Sequence, residues 1–159
     1  MTTPAPPPSL SDELRDAAFA ALGTEHAAIW VYGLVSAFLP PSTAAGVAAA
    51  SLAHRERRDA VVALLARSGE TPPTAAAAYR PPSPVTDAAS AAALAVVAED
   101  DVAAAWRAVA ERTEPDTGAE WRRLALDAVT AAATTSITWR GLAGETPPVP
   151  AFPGDGAAS

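Results

Sequence analysis

The chain of 159 residues contains no cysteine, lysine, asparagine or glutamine, and it has two histidines. Without cysteine, disulfides, thiol catalysis and thiolate metal sites are excluded. The N-terminus lacks a basic segment followed by an apolar core, so no signal peptide is expected. Because no run of about twenty apolar residues is free of charge, no membrane span is expected either. These absences predict a cytoplasmic protein.

The formal net charge is −7, and every basic residue is an arginine. Such a charge argues against broad binding to a phosphate backbone, which requires a basic face. Arg55, Arg57 and Arg58 form a cluster, but Glu56 and Asp59 interrupt it. Nucleic acid is therefore not an expected partner.

What the chain does contain is alanine, the strongest helix former, in four long segments. Between them lie tight breaks at Pro40-Pro41 and Pro115–Gly118 and a proline-rich crossover. We expect one four-helix domain over residues 9–143, a disordered tail over 1–8 and a Pro/Gly-rich tail over 144–159. The predicted helices cover about 11–38, 43–68, 87–112 and 118–142, with the crossover at 69–86.

The lengths of the connections predict the topology. Short breaks make the first and second helices, and the third and fourth, antiparallel neighbours. The crossover of roughly eighteen residues can extend about 55 Å, more than the ~38 Å of a helix of about twenty-five residues. It can therefore start the third helix at the far end, so that the second and third helices are parallel. This predicts an all-α, ferritin-like four-helix bundle, with a plain up-down bundle as the competing interpretation.

A short repeat accompanies this layout. Gly-Glu-Thr-Pro-Pro occurs at residues 69–73 and again at 144–148, each time after the second helix of a pair. The repeat is either chance in a sequence of low complexity or a sign that two helical hairpins are related by a pseudo-twofold axis.

Several segments in order along the chain carry a family resemblance. They are Glu25-His26-Ala27-Ala28-Ile29, Tyr32-Gly33, the run from His54 to Asp59, Ala78–Pro81, Leu94–Asp100, Trp139-Arg140 and Pro153-Gly154. With these the sequence resembles the ferritin-like domains of unknown function found in small alanine-rich bacterial proteins. The resemblance implies the fold and little else, because that family has no established activity.

The metal-binding pattern of a ferritin-like di-iron site is missing. Such a site needs a carboxylate from two helices and Glu-x-x-His from each of the other two. The histidines are His26 and His54, and the positions three residues before them hold Gly23 and Ser51. We therefore expect neither a di-metal centre nor a cofactor.

Polar residues nevertheless fall on the apolar stripes at mid-helix. Glu25 and Glu99 lie near the middle of the first and third helices, where ferritin-like ligands sit. On the second helix, His54 shares a stripe with Arg57 or Arg58. Since a guanidinium can bind two carboxylates, we predict a buried Glu25–Arg58–Glu99 network with His54 as a further donor. Alternatively, these side chains face solvent and the arginines pair with acidic neighbours.

Two tyrosines are candidate pocket residues. Tyr32 follows the stripe of the first helix, and Tyr79 lies in the crossover beside Arg80. Tyr79 either packs over the bundle or lines a pocket.

These observations favour a non-enzymatic structural, interaction or small-ligand-binding protein, with a homodimer, an unidentified protein or a small ligand as the expected partner. One alternative is a degenerate ferritin-like metal-dependent oxidase or hydroxylase with a site of Glu25, His54 and Glu99. Another is binding of a small polar or anionic ligand near Arg57, Arg58 and His54.

Overall fold

A computed structural model describes residues 9–115 and 118–146. Within these ranges the protein is all-α, and a short 3-10 helix at Pro41–Thr43 precedes the second long helix. The tail predicted over 1–8 and most of the tail predicted over 144–159 lie outside the described residues. The long helices are α1 (Asp12–Val35), α2 (Ala44–Arg67), α3 (Ala88–Glu111) and α4 (Ala119–Ala143).

Side-chain caps begin α1 and α3. Ser11 accepts a hydrogen bond from Leu14 N at 3.2 Å. Asp87 accepts one from Ser90 N at 2.8 Å, and the Ser90 hydroxyl accepts one in return from the Asp87 backbone, which forms a capping box. Each cap satisfies backbone donors that a helix start leaves without a partner.

The predicted end of the first helix near Phe38 is too late. The α-helix ends at Val35, and the chain then tightens, because Ala37 N and Phe38 N donate to the carbonyls of Leu34 and Val35. The following Pro40 has no N–H to extend the helix.

Contacts between the helices give their directions. Arg67 at the end of α2 pairs with Glu120 at the start of α4 at 2.6 Å, so these two helices are antiparallel. The antiparallel order of α1 and α3 follows from two contacts, Tyr32 with Glu99 and Glu25 with Trp106. Because α1 and α2 are also antiparallel, α2 and α3 run parallel, as the single crossover predicts.

The crossover, residues 68–87, runs along α1. The charge of Glu70 lies near Arg15, the backbone of Pro73 faces His26, and the ring of Tyr79 lies 5.7 Å from that of Trp30. The contacts progress from the beginning of α1 towards its end. The crossover thus carries the chain from one end of the bundle to the other.

Alanine forms much of the core, and larger side chains such as Tyr32, Trp106 and Trp139 are also fully buried there. Fully buried alanines on α1, α3 and α4 allow α3 to pack closely against both α1 and α4. The contact between α2 and α4 is much smaller than the contacts between the other neighbouring helices, and a groove lies between these two helices. Among the described helices, α1 alone is long and apolar enough to cross a membrane. In this structure it packs as a core helix of the bundle.

Candidate functional site

A polar cluster occupies the centre of the bundle, and all four helices contribute to it. Two carboxylates, an imidazole, a guanidinium, a phenol and two indoles meet there. They belong to Glu25 and Tyr32 of α1, His54 and Arg57 of α2, Glu99 and Trp106 of α3, and Trp139 of α4.

Glu25 is completely buried and accepts from three donors. Its Oε1 accepts from Arg57 Nε at 2.8 Å and from Trp106 Nε1 at 2.7 Å, while its Oε2 lies 2.7 Å from His54 Nδ1. Burial by itself raises the pKa of Glu25. The hydrogen bond from His54 and the charge of Arg57 outweigh burial, so the pKa of Glu25 is lowered. Glu25 is therefore a carboxylate.

Glu99 is the second buried carboxyl, at 1% exposure. Its Oε1 accepts from the Tyr32 hydroxyl and lies 3.2 Å from His54 Nε2. Burial and the carboxylate raise the pKa of Tyr32, so its phenol keeps the proton that it donates. Trp139 Nε1 in turn donates to the Tyr32 oxygen at 2.7 Å. Glu99 Oε2, however, has no partner among the described residues.

His54 lies between the two carboxylates. Burial lowers its pKa, but the hydrogen bonds to Glu25 and Glu99 outweigh burial, so the pKa of His54 is raised. A protonated ring donates from Nδ1 to Glu25 and from Nε2 to Glu99. Arg57 Nη2 also lies 2.7 Å from Nδ1, but both groups are then donors, so this contact is not a hydrogen bond. With a formal charge of −1 on each glutamate and +1 on Arg57 and on a protonated His54, the charges of the cluster sum to zero.

The structure corrects the predicted network at Arg58. This side chain pairs with its neighbour Asp59 at 2.9 Å and is 31% exposed, so it does not reach the cluster. Arg57, whose side chain is 12% exposed, contacts Glu25 instead. Residues three and four apart on a helix both share a face with His54, so the orientation of α2 in the bundle is what places Arg57 beside Glu25 and turns Arg58 outward. The bridge between the carboxylates is thus the imidazole of His54 and not an arginine.

The two predicted pocket tyrosines lie in different places. Tyr32 belongs to the cluster and also borders a groove between the end of α1 and the start of α2. Tyr79 lines a mostly apolar cavity of about 120 Å³ under the crossover, with Trp30 on α1 and Val97 on α3. Its hydroxyl accepts from Ala76 N at 3.0 Å, so the ring faces the cavity with its polar atom already bonded. Arg80 and Asp101 also line this cavity.

Sequence reasoning missed the two indole donors, Trp106 and Trp139. The signal available was spacing: Trp106 lies seven residues after Glu99, as Tyr32 lies seven after Glu25. The sequence therefore placed a ring donor two turns beyond each carboxylate. In the structure each ring donates to the carboxylate of the other helix, Trp106 to Glu25 and Tyr32 to Glu99.

The two carboxylate–ring pairs are arranged symmetrically between α1 and α3, because each helix provides one carboxylate and one ring donor. The contribution of α4 to the cluster is the indole of Trp139, and one imidazole from α2, that of His54, serves both carboxylates.

Ligands for a metal ion do not converge at the cluster. Each ring nitrogen of His54 faces a different carboxylate, so one ion cannot bind His54 together with both glutamates in this arrangement. In the part of the chain that the structure describes, no group of three or more histidines and carboxylates is placed to hold an ion. The groove between α2 and α4, about 330 Å³, reaches the cluster at Arg57.

The fold and the cluster define the class: an all-α four-helix protein with a buried ionic cluster at its centre. Residues 17–157 match the family described as Domain of unknown function (DUF4439), so the chain belongs to this family. It is similar to the crystal structure of a conserved hypothetical protein, rv2844, from Mycobacterium tuberculosis. The two share 43% sequence identity over 89% of this chain and 97% of that one, with a TM-score of 0.77. No curated protein matches the chain.

Proposed function

We propose that the protein is a non-enzymatic, ferritin-like bundle in which a closed ionic cluster replaces the di-metal centre, and that it acts as a small-ligand-binding or interaction protein. The single crossover and the carboxylates at mid-height on α1 and α3 support the ferritin-like relationship. The observation that carries the proposal is His54, whose two ring nitrogens both face carboxylates. A ring held in this way has no free atom for a substrate or a metal.

The cavity under the crossover supports ligand binding. At about 120 Å³, it is comparable with apolar cavities of ~150 Å³ that bind benzene. Its aromatic wall, the ring pair of Trp30 and Tyr79, suits a small apolar or aromatic group. Arg80 and Asp101 are exposed, so they offer charges of both signs to a polar end of the ligand.

A homodimer and a cytoplasmic location are part of the same proposal. Leu52 on α2 and Leu126 on α4 are 55% and 54% exposed, and such side chains are available to a partner.

A metal-dependent oxidase is the second candidate. Glu25, His54 and Glu99 are potential ligands from three helices, and Glu99 Oε2 is a buried acceptor that has no partner among the described residues. An ion bound there would require the proton bridges of His54 to be replaced.

The two candidates give opposite results with a His54→Ala variant. If the imidazole fills the place of an ion, wild-type protein purified without chelators contains neither iron nor manganese in stoichiometric amount. Removing the ring then leaves two carboxylates facing a space, and Mn²⁺ raises the melting temperature of the variant but not that of wild type. Iron or manganese near two per chain in wild type, lost in the variant, would establish the enzyme and overturn the proposal.

Ligand binding is tested separately with benzene as the probe. A Val97→Phe substitution at the partly exposed rim fills the cavity, whereas Leu126→Phe on the exposed face of α4 leaves it open. Tryptophan fluorescence should report benzene binding to wild type and to Leu126→Phe, with at least tenfold weaker binding to Val97→Phe. Equal binding by all three proteins would exclude the cavity as the site.

A further inference from the structure

The cavity under the crossover has two charged residues at its opening. Asp101 of α3 and Arg80 of the crossover both line the cavity, and both are exposed to solvent. Within residues 9–115 and 118–146, neither side chain has a hydrogen bond or an ion pair. Burial and the charge of the neighbouring Asp100 raise the pKa of Asp101, since no cation beside it stabilises the carboxylate. The opening therefore offers a charge of each sign to a ligand.

Asp101 lies at the height of the aromatic wall. In the antiparallel pair of α1 and α3, Tyr32 contacts Glu99. Two residues back along α1 therefore correspond to two residues forward along α3, which places Trp30 level with Asp101. Both residues line the same cavity, so a cation bound against the indole would also lie near the carboxylate.

The aromatic wall itself favours a cation. The rings of Trp30 and Tyr79 both line the cavity, with their centres 5.7 Å apart. The face of a tryptophan or tyrosine ring attracts a positive charge within about 6 Å of its centre, and more strongly where water is excluded. The rings and the carboxylate of Asp101 therefore attract the same kind of group.

The other polar atoms of the wall are already bonded, and this decides the kind of cation. The Thr24 hydroxyl donates to the Ala21 carbonyl at 2.8 Å. The Tyr79 hydroxyl accepts from Ala76 N at 3.0 Å. A primary ammonium would leave N–H donors without acceptors against such a wall, which is unfavourable. A quaternary ammonium has no N–H, and its trimethylammonium group has fewer non-hydrogen atoms than the benzene that cavities of ~150 Å³ bind.

Arg80 adds a second requirement. Its guanidinium at the opening repels a ligand that is only a cation. A carboxylate on a short arm beyond the ammonium would instead face the guanidinium, whose fork of donors matches the two oxygens. The pair of opposite charges therefore favours a zwitterion.

We propose that the cavity under the crossover binds a small zwitterion of the betaine class, in which a short arm joins a quaternary ammonium to a carboxylate. The methylated nitrogen lies against Trp30 and Tyr79 near Asp101, and the carboxylate faces Arg80. This assignment rests on the ligand-binding function proposed above and adds the chemical class of the ligand.

Isothermal titration calorimetry with glycine betaine as the probe tests the charges of the ligand. The matched compound is the anion of tert-butylacetic acid, in which carbon replaces the positive nitrogen with little change of shape. Wild type should bind glycine betaine about tenfold more tightly, because the rings and Asp101 attract only the charged head. Equal affinity for the two compounds would overturn the proposal.

Exchanges of single charges on the protein test the two ends of the site. Asp101→Asn should weaken the binding of glycine betaine about tenfold, whereas Asp127→Asn, the same change at an exposed position of α4 outside the cavity, should leave it unaltered. Arg80→Gln should weaken the binding of glycine betaine but not that of tetramethylammonium, which has no carboxylate. Wild-type affinity in Asp101→Asn would show that the carboxylate does not hold the ligand and would overturn the proposal.

Benzene and Val97→Phe separate this assignment from the function on which it rests. Filling the cavity with Val97→Phe should abolish the binding of glycine betaine, and binding that survives would place the zwitterion elsewhere and overturn the assignment. If wild type binds benzene but not glycine betaine, the cavity is a ligand site and the betaine class is wrong. If wild type binds neither compound, both proposals fail.

Discussion

Replacing Glu25 with leucine tests the ionic cluster most directly. Leucine fills a similar volume, so little cavity forms, but it removes the acceptor of Arg57, Trp106 and His54. The cluster would then hold two cations and one carboxylate. Removing one partner of a buried ion pair costs about 3–5 kcal/mol. We expect the lower end of this range, because His54 can release its proton.

Thermal melts followed by circular dichroism measure this loss. For a protein of this size, 1 kcal/mol corresponds to roughly 2–4 °C in melting temperature, so Glu25→Leu should melt at least about 6 °C below wild type. The matched control is Glu56→Leu, an exposed glutamate on α2 for which we expect a change within about 0.5 kcal/mol.

The double variant Glu25→Leu/Arg57→Leu separates charge from packing. It restores the balance of charge in the cluster, because one imidazolium and one carboxylate remain. The double variant should therefore be more stable, by about 0.5–3 kcal/mol, than the sum of the two single changes predicts. A Glu25→Leu protein that melts within two degrees of wild type would refute the argument that these charges depend on one another.

Three further predictions follow from the same contacts. The raised pKa of His54 means that its contribution to stability is complete below the unfolded pKa and is lost as pH rises through the folded pKa. The stability advantage of wild type over His54→Gln, from urea unfolding, should therefore be larger at pH 6 than at pH 9.5, and an advantage that grows with pH would contradict the charged bridge. Trp106→Phe should cost about 1–3 kcal/mol more than Trp121→Phe, because only the first indole donates to a buried carboxylate; equal losses in chemical denaturation would argue against that hydrogen bond. Gly69→Ala should destabilise the protein by about 1 kcal/mol because of its positive φ, whereas Gly33→Ala, inside α1, should stabilise it by a similar amount; calorimetry giving both changes the same sign would exclude this explanation.

The cluster also bears on why the bundle keeps one topology. Buried ionic groups seldom add net stability over apolar packing, but they penalise arrangements that leave them without a partner. Each carboxylate here is bonded by a ring from the opposite helix, Trp106 for Glu25 and Tyr32 for Glu99. Sliding α1 against α3 by one turn would separate both pairs at once. We expect the cluster to set the register of the four helices.

Several features of the protein follow from the sequence alone. Alanine-rich segments bounded by proline and glycine determine four helices, because these signals act through neighbours along the chain. The length of the crossover allows α2 and α3 to be parallel, since a chain of that length can span the bundle, and the contacts between the helices select this arrangement over a plain up-down bundle. The apolar residues at helical spacing around Glu25 and Glu99 predict that both can lie on the buried face, and the structure decides for burial against the solvent-facing alternative.

The partners inside the cluster were decided only by the tertiary structure. A helix turns about 100° per residue, so the side chains of Arg57 and Arg58 point in different directions. The rotation of α2 about its own axis decides which of them contacts Glu25, and the hydrophobic periodicity of the sequence does not define that rotation accurately enough. The bridging position of His54 depends on how α1 and α3 place their carboxylates, Glu25 and Glu99, on either side of the imidazole. Distances across a bundle depend on how all four helices pack together, and that information is not contained in any one segment.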